Sequence, residues 1–216
     1  MSGIALVNSL AGLLIVTSLL VVETRKLRWS ALVYGLQSLV LVLVFLALAA
    51  AMQASRLYIW AALAFVTKVV LVPLILYRAL GQVGDLETPS GLLSPTAALI
   101  VAAAILGVSY AVVAPFELKV VAGLKPALAI SVAHFFLGLL CILTQRNLLK
   151  QVLGYCLMEN GSHLTLALMA HNAPELVEIG IATDAIFAVI IMVAMGTQIQ
   201  RTLKTLDTNA LRALKG

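Results

Sequence analysis

The sequence predicts an all-α integral membrane protein with seven transmembrane helices. Of its 216 residues, 62% are hydrophobic and 11% are charged, and the mean hydropathy is +1.11. Soluble domains carry about 45–50% apolar and about 25% charged residues, so this composition is typical of a chain that lies in lipid. The apolar residues also fall into seven long runs, and a helix needs about 20 of them to cross a bilayer. We therefore expect one transmembrane domain over 1–216 and no soluble domain.

Each apolar run is assigned to a helix because a backbone in lipid must satisfy its own hydrogen bonds. The sequence lacks the alternation of apolar and polar side chains that the strands of a membrane barrel show. The first run has no basic residue before it and no clear cleavage site after it, so we interpret it as a retained span and not as a signal peptide. The expected spans are residues 4–22, 30–52, 57–78, 94–113, 126–144, 147–170 and 175–200.

Basic residues at the span ends predict the orientation. The loops after the odd-numbered spans lie on the same side of the membrane as the C-terminus. This side holds ten basic residues: Arg25, Lys26, Arg28, Arg78, Arg146, Lys150, Arg201, Lys204, Arg212 and Lys215. The opposite side holds three: Arg56, Lys119 and Lys125. Basic loops stay in the cytoplasm, so we expect the N-terminus outside and a short cytoplasmic tail at 201–216. The expected location is the bacterial or archaeal cell (inner) membrane, with phospholipid around the spans and no nucleic-acid partner.

Four ionisable residues lie near the middle of predicted spans: Lys68 in the third, His134 in the fifth, Glu159 in the sixth and Asp184 in the seventh. An unpaired charge at that depth costs at least about 2.5–3.5 kcal/mol. Such residues therefore usually move protons or ions, or they pair with a neighbour. Their common depth predicts a lateral row of ionisable groups near the centre of the bilayer.

Each of these residues has two interpretations. His163 follows Glu159 by four residues on the same helical face, so the two could relay protons or lock two helices together. Lys68 could accept and release protons, or form a static ion pair with Asp184 or Glu159. A lone histidine such as His134 is more often a hydrogen-bonded packing residue than a relay.

Two further acids, Glu175 and Glu178, begin the seventh span on its outer side. They are possible points at which protons enter, although the helix dipole also favours acids there. The sixth span is unusually small and polar, which suits close helix packing or a hydrated seam. The residues concerned are Gly154, Asn160, Gly161, Ser162 and Thr165.

The two cysteines, Cys141 and Cys156, both fall inside predicted spans. The sequence has no CxxC pair, so a Cys₄ cluster cannot be assembled from this chain alone. We interpret both as small apolar side chains, and we expect no catalytic residue, cofactor site or metal ligand in the chain.

The chain resembles hydrogenase-4 component E, an integral membrane subunit of group 4 nickel–iron (NiFe) hydrogenase and formate hydrogenlyase-type complexes. The resemblance covers the whole chain, including the ending ALRALKG, and three runs carry it: QRNLLKQVLGYCLMENGSHLTLALMAHNAPELVEIGIATDAIFAVIIM (Gln145 to Met192), the preceding GLKPALAISVAHFFLGLLCIL, and TKVVLVPLI (Thr67 to Ile75). It implies a non-redox subunit packed beside antiporter-like and other membrane subunits. Soluble partner subunits would carry the Fe–S clusters and the Ni–Fe centre, and the membrane arm would couple their redox chemistry to proton or sodium movement.

The last three spans also resemble the three-helix K subunit of respiratory complex I. The run from Arg146 to Leu149 matches the Arg-Asn-Leu-Leu that begins the second helix of that subunit. Asp184 falls where its third-helix glutamate would be. The position of its second-helix glutamate is taken by Cys156, and Glu159, one turn later, is the candidate substitute.

The sequence therefore predicts a membrane-arm subunit that is not catalytic on its own. Five residues are expected to contribute to a proton (or sodium) path: Asp184, Glu159, His163, Lys68 and His134. One alternative is a purely structural subunit that links antiporter-like subunits and uses its buried charges as assembly locks. Another is a stand-alone secondary transporter.

Overall fold

The computed structural model describes residues 3–83, 91–115, 123–170 and 175–211, with the side chains of all of them except 83, 175–182, 184 and 185. A π-helical segment, Phe65–Leu71, joins the α-helices Arg56–Ala64 and Val72–Val83. The α-helices are α1 (Gly3–Glu23), α2 (Leu27–Met52), α3 (Arg56–Ala64), α4 (Val72–Val83), α5 (Pro95–Val113), α6 (Lys125–Thr144), α7 (Leu148–Met169), α8 (Glu175–Leu203) and the short α9 (Thr208–Leu211).

This architecture confirms the predicted all-α membrane fold, although within the described residues six of the seven expected spans, and not all seven, have the length and apolar composition of a membrane-crossing helix. Among the described residues, six helical stretches are long and apolar enough to cross a membrane: Gly3–Glu23, Leu27–Met52, Arg56–Gln82, Pro95–Val113, Lys125–Thr144 and Ile186–Leu203. The predicted sixth span forms α7, which is not among the six because polar side chains such as Lys150, Glu159 and Asn160 interrupt its apolar sequence. More than half of the residues of α7 are buried against other helices.

The ends of the helices follow from local sequence. Ser94 accepts a hydrogen bond from a backbone N–H of the first turn of α5, and Pro95 follows it, because proline loses nothing where the N–H would be unpaired. Asn147 caps α7 in the same way, accepting from two backbone N–H groups. Helix α2 ends at Gln53, whose φ of 54° lies in the left-handed region that stops a helix.

Helices α6 and α7 pack with their backbones in contact. A Cβ added at Gly138 would lie 2.2 Å from the Met158 nitrogen, and one at Gly161 would lie 2.4 Å from the Phe135 nitrogen. At Gly154 the nearest atoms would be 3.0 Å away. Small residues allow such close approach between membrane helices, so this contact needs glycine on both helices.

Lys150 is completely buried at the start of α7 and reaches the C-terminal end of α1. Its ammonium donates to the Val21 and Thr24 carbonyls at 2.5 Å each and to the Ser30 hydroxyl at 2.6 Å. The last carbonyls of a helix have no partner within the helix, and a cation there is favoured by the helix dipole. Lys150 is thus a cap of α1 and not a charge exposed at the membrane interface.

The segment after α8 folds back on the turn between α6 and α7. An isolated antiparallel bridge pairs Asn147 with Asp207, and Leu206 beside it is buried. Two backbone hydrogen bonds form the bridge: Leu148 N–H to the Leu206 carbonyl (3.2 Å) and Thr208 N–H to the Arg146 carbonyl (2.8 Å).

Candidate functional site: a buried polar row

Lys68 lies in the middle of the π-helical segment. At the end of this segment the Val72 N–H donates to the Thr67 carbonyl, five residues earlier. In an α-helix it would donate to the carbonyl four residues earlier. Pro73 follows and has no N–H, so the Val69 carbonyl lacks its α-helical partner. Gly35 of α2 lies beside this point, where an added Cβ would make an ordinary contact of 3.5 Å with the Pro73 ring. Short π-helical stretches are rare and are frequent at functional sites, which draws attention to Lys68.

The ammonium of Lys68 has two oxygen acceptors on α7. Its Nζ donates to Glu159 Oε1 at 2.8 Å and to Asn160 Oδ1 at 2.7 Å. His163 Nε2 lies 3.4 Å from the same Glu159 oxygen. The Lys68 side chain is 3% exposed and that of Glu159 is 13% exposed. Of the two partners that the sequence left open for Lys68, the described structure therefore pairs it with Glu159.

A second set of hydrogen bonds leads away from Lys68 through completely buried side chains. Asn160 Nδ2 donates to Gln37 Oε1 at 2.9 Å. Gln37 Nε2 lies 3.2 Å from His134 Nε2, and Ser18 Oγ lies 2.8 Å from His134 Nδ1. These contacts join α7 to α2, α6 and α1 in turn.

The directions of these hydrogen bonds are determined by Lys68. Lysine only donates, so the oxygen of Asn160 must face it and the Asn160 amino group must face Gln37. Gln37 then presents its amino group to His134 Nε2, which has to accept. The proton of the neutral imidazole is therefore on Nδ1 and is donated to Ser18, whose hydroxyl donates to a carbonyl of its own helix.

We call these residues the polar row, and it has two arms. The acid–base arm consists of His163, Glu159 and Lys68. The amide arm consists of Asn160, Gln37, His134 and Ser18. Carboxylate, ammonium and imidazole groups exchange protons readily, whereas an amide holds both of its N–H protons at any pH that a protein experiences.

Four of the residues predicted for the ion path, Lys68, Glu159, His163 and His134, thus belong to one connected row. Sequence reasoning missed Gln37 and Ser18 and did not identify Asn160 as a partner of Lys68. A signal for Gln37 exists, because it stands with Ser38 in the middle of an otherwise apolar span. Cys156 is buried but belongs to neither arm.

Asp184 lies in α8, but its side chain, like those of Glu175 and Glu178, is outside the described residues. Helix α8 contacts α7, α4 and the π-helical segment. Tyr155 of α7 and Met192 of α8 line one cavity, and the two helices are antiparallel. Eight residues further along α7 is His163, and eight residues back along α8 is Asp184. Helix geometry therefore puts the backbone of Asp184 at the level of His163.

Among the described residues, no group of three or more His, Cys, Asp or Glu side chains is arranged to hold a metal ion. Cys141 and Cys156 are free and buried, and the Cys141 thiol donates to the Lys150 carbonyl.

Comparison with known protein families gives a match in the C-terminal part of the chain. A family model described as NADH-ubiquinone/plastoquinone oxidoreductase chain 4L matches residues 126–216. That region comprises α6, α7 and α8, which confirms the resemblance of the last three helices to the complex I subunit. No solved structure gives a significant match.

Curated relatives cover the whole chain. The proteins named hydrogenase-4 component E from Escherichia coli (strain K12) and from Shigella flexneri are each 53% identical to it over 216 residues, which is 100% of both chains. An uncharacterized protein of Mycobacterium tuberculosis is 25% identical over 97% of this chain and 96% of its own length. Identity at this level from end to end shows that the chain belongs to the hydrogenase-4 component E family.

Proposed function

We propose that this chain is a non-redox membrane-arm subunit of an energy-converting NiFe-hydrogenase complex, and that its polar row is part of a proton path coupled to hydrogen or formate redox chemistry. Family membership and the name of the relatives support the assignment to such a complex. The observation that carries the mechanism is the contact of Lys68 with Glu159 and, through the same oxygen, of Glu159 with His163. Residues with ionisable side chains at such depth are typical of proton paths.

Glu159 is the group through which protons would enter and leave the acid–base arm. It is more exposed than Lys68, and it is the shared neighbour of an ammonium and an imidazole. When its carboxylate takes up a proton, the attraction between it and Lys68 is lost. Two unit charges about 4 Å apart interact by about 4 kcal/mol at an effective dielectric constant of 20, so each protonation changes the proton affinity of the next group.

Asp184, Glu178 and Glu175 extend this proposal along α8. The level of Asp184 beside His163 supports it as the next acid of the path, and the two glutamates of the first turn are the proposed points of proton uptake from outside. Sodium remains the alternative coupling ion.

The rest of the assembly is proposed on the same grounds. Antiporter-like and other membrane subunits would flank the helices, and soluble subunits would hold the Fe–S clusters and the Ni–Fe centre. The chain would form one transmembrane domain in the cell (inner) membrane with its N-terminus outside and its tail in the cytoplasm. The burial of Lys150 leaves nine basic residues against three, and these support that orientation.

A structural role is the second candidate, because the Lys68–Glu159 pair joins α7 to the π-helical segment and is almost completely buried. In this case the charges would lock helices together during assembly and carry no protons.

The variants Glu159→Gln and Asp184→Asn distinguish the two functions. In membrane vesicles that contain the whole complex, we expect hydrogenase activity with a soluble electron acceptor to stay at the parental level while proton translocation falls at least tenfold. Glu23→Gln, the same chemical change at the end of α1, is the control and should translocate normally. If both variants assemble and translocate protons at the parental rate, the proton-path proposal fails. Loss of the complex on a native gel would instead support the structural role.

A further inference from the structure

Lys68 is held by two acceptors of different kinds at almost the same distance. Glu159 offers a charged oxygen at 2.8 Å and Asn160 a neutral one at 2.7 Å. The attraction between two opposite charges strengthens the contact of Lys68 with Glu159 and is absent from its contact with Asn160. When Glu159 is protonated, its hold on Lys68 weakens, whereas the contact with Asn160 does not change. Asn160 is therefore the acceptor that can keep the ammonium in place.

Asn160 can do this only if its amide keeps one orientation. A flipped amide would present its amino group to Lys68 and its oxygen to the oxygen of Gln37, so two buried contacts would be lost. A buried polar group left without a partner is destabilising. Gln37 is fixed in the same way by His134, and His134 by Ser18. The amide arm thus stabilises the one orientation of Asn160 that presents its oxygen to Lys68.

We propose that Asn160 is a positioning residue that holds Lys68 in place while Glu159 gains and loses its proton, and that Gln37, His134 and Ser18 act through Asn160. Protons stay within the acid–base arm, because an amide cannot pass a proton on without losing one of its own. Both ring nitrogens of His134 are occupied by hydrogen bonds. His134 then serves to orient Gln37 and does not relay protons. This inference rests on the proposed function of the acid–base arm.

Two substitutions of His134 separate positioning from relay. His134→Gln keeps an oxygen that accepts from Gln37 but has no group that titrates, whereas His134→Leu removes the contact. In vesicles that contain the whole complex, we expect His134→Gln to retain at least half of parental proton translocation. His134→Leu and Asn160→Leu should each lose at least fivefold, and the double variant should be no worse than Asn160→Leu alone. Equal losses in His134→Gln and His134→Leu, or an additive loss in the double variant, would overturn the proposal.

An infrared difference spectrum provides a readout that does not depend on activity. The carboxyl band of Glu159 is identified by its disappearance in Glu159→Gln. We expect this band to shift in Asn160→Leu and His134→Leu, because the position of Lys68 beside the carboxyl changes. An unchanged band in the complexes that still assemble would show that the amide arm only supports packing, and the proposal would be rejected.

Thr165→Val is the matched control. The Thr165 hydroxyl lies 2.8 Å from that of Ser131, so this substitution removes a hydrogen bond between α6 and α7 outside the polar row. It should change neither translocation nor the carboxyl band. If Glu159→Gln translocates normally, the proposed function itself is wrong. If Glu159→Gln is defective and His134→Gln is as defective as His134→Leu, only the positioning role is wrong.

Discussion

Replacement of Gly138 by alanine tests the packing on which the polar row depends. The added Cβ would lie 2.2 Å from the Met158 nitrogen and 2.7 Å from the Gly154 oxygen, whereas ordinary contacts of a Cβ begin near 3.4 Å. All of the nearest atoms belong to the backbone of α7, so no side-chain rotation relieves the overlap. The two helices would have to separate by about 1 Å.

The expected cost follows from this separation. Overpacking typically destabilises by about 1–3 kcal/mol, and a backbone overlap belongs at the upper end of that range. Alanine is favoured over glycine in a helix by about 0.5–1 kcal/mol, which offsets part of the loss. We therefore expect Gly138→Ala to destabilise the chain by about 2 kcal/mol net.

The control is Gly107→Ala in α5, where an added Cβ would meet nothing within 4 Å. It should be neutral or stabilising by up to about 1 kcal/mol. Denaturant titration of the purified chain in one detergent measures both free energies of unfolding, and we expect them to differ by about 3 kcal/mol. The reasoning is refuted if Gly138→Ala proves no less stable than Gly107→Ala.

Three further substitutions have definite expected outcomes. In the same titration, Lys68→Met should destabilise the chain by up to about 3 kcal/mol, because it leaves the carboxylate of Glu159 with only an imidazole beside it. Adding Glu159→Gln should recover part of this loss, and no recovery would contradict the pairing. Lys150→Met should destabilise the chain by about 2 kcal/mol or more, since the carbonyls that end α1 lose their donor. The thermal midpoint should fall, and an unchanged midpoint would show that these carbonyls find other partners. Lys204→Gly should stabilise the chain by up to about 1 kcal/mol and so raise the thermal midpoint, because Lys204 has a φ of 56° that glycine adopts without strain. A lower thermal midpoint would refute this.

The long helices and the common depth of the ionisable residues could be anticipated from sequence because hydropathy and depth depend on one chain segment at a time, whereas the choice of Glu159 over Asp184 as the partner of Lys68 could not. Seven apolar runs predict long helices, and charges at a common depth predict a row. The polar character of α7 is visible in the sequence, but its burial among other helices is not. It lies largely buried among other helices, where Glu159, Asn160 and Lys150 find partners.

The amide arm could not be anticipated because it depends on which faces of different helices meet. Gln37 is a polar residue within an apolar span, and only its hydrogen bonds to Asn160 of α7 and His134 of α6 show what it does. Pro73 indicates a local irregularity at Lys68, but it does not by itself predict the π-helical form of the turn.

The bridge between Asn147 and Asp207 sets a limit on when this fold can be completed during synthesis. The turn that begins α7 is made before α8, but the backbone groups of Arg146 and Leu148 find their partners at Thr208 and Leu206, which follow α8. The ribosome must therefore release the residues beyond α8 before the turn is closed. Until then, the turn between α6 and α7 lacks these two backbone hydrogen bonds.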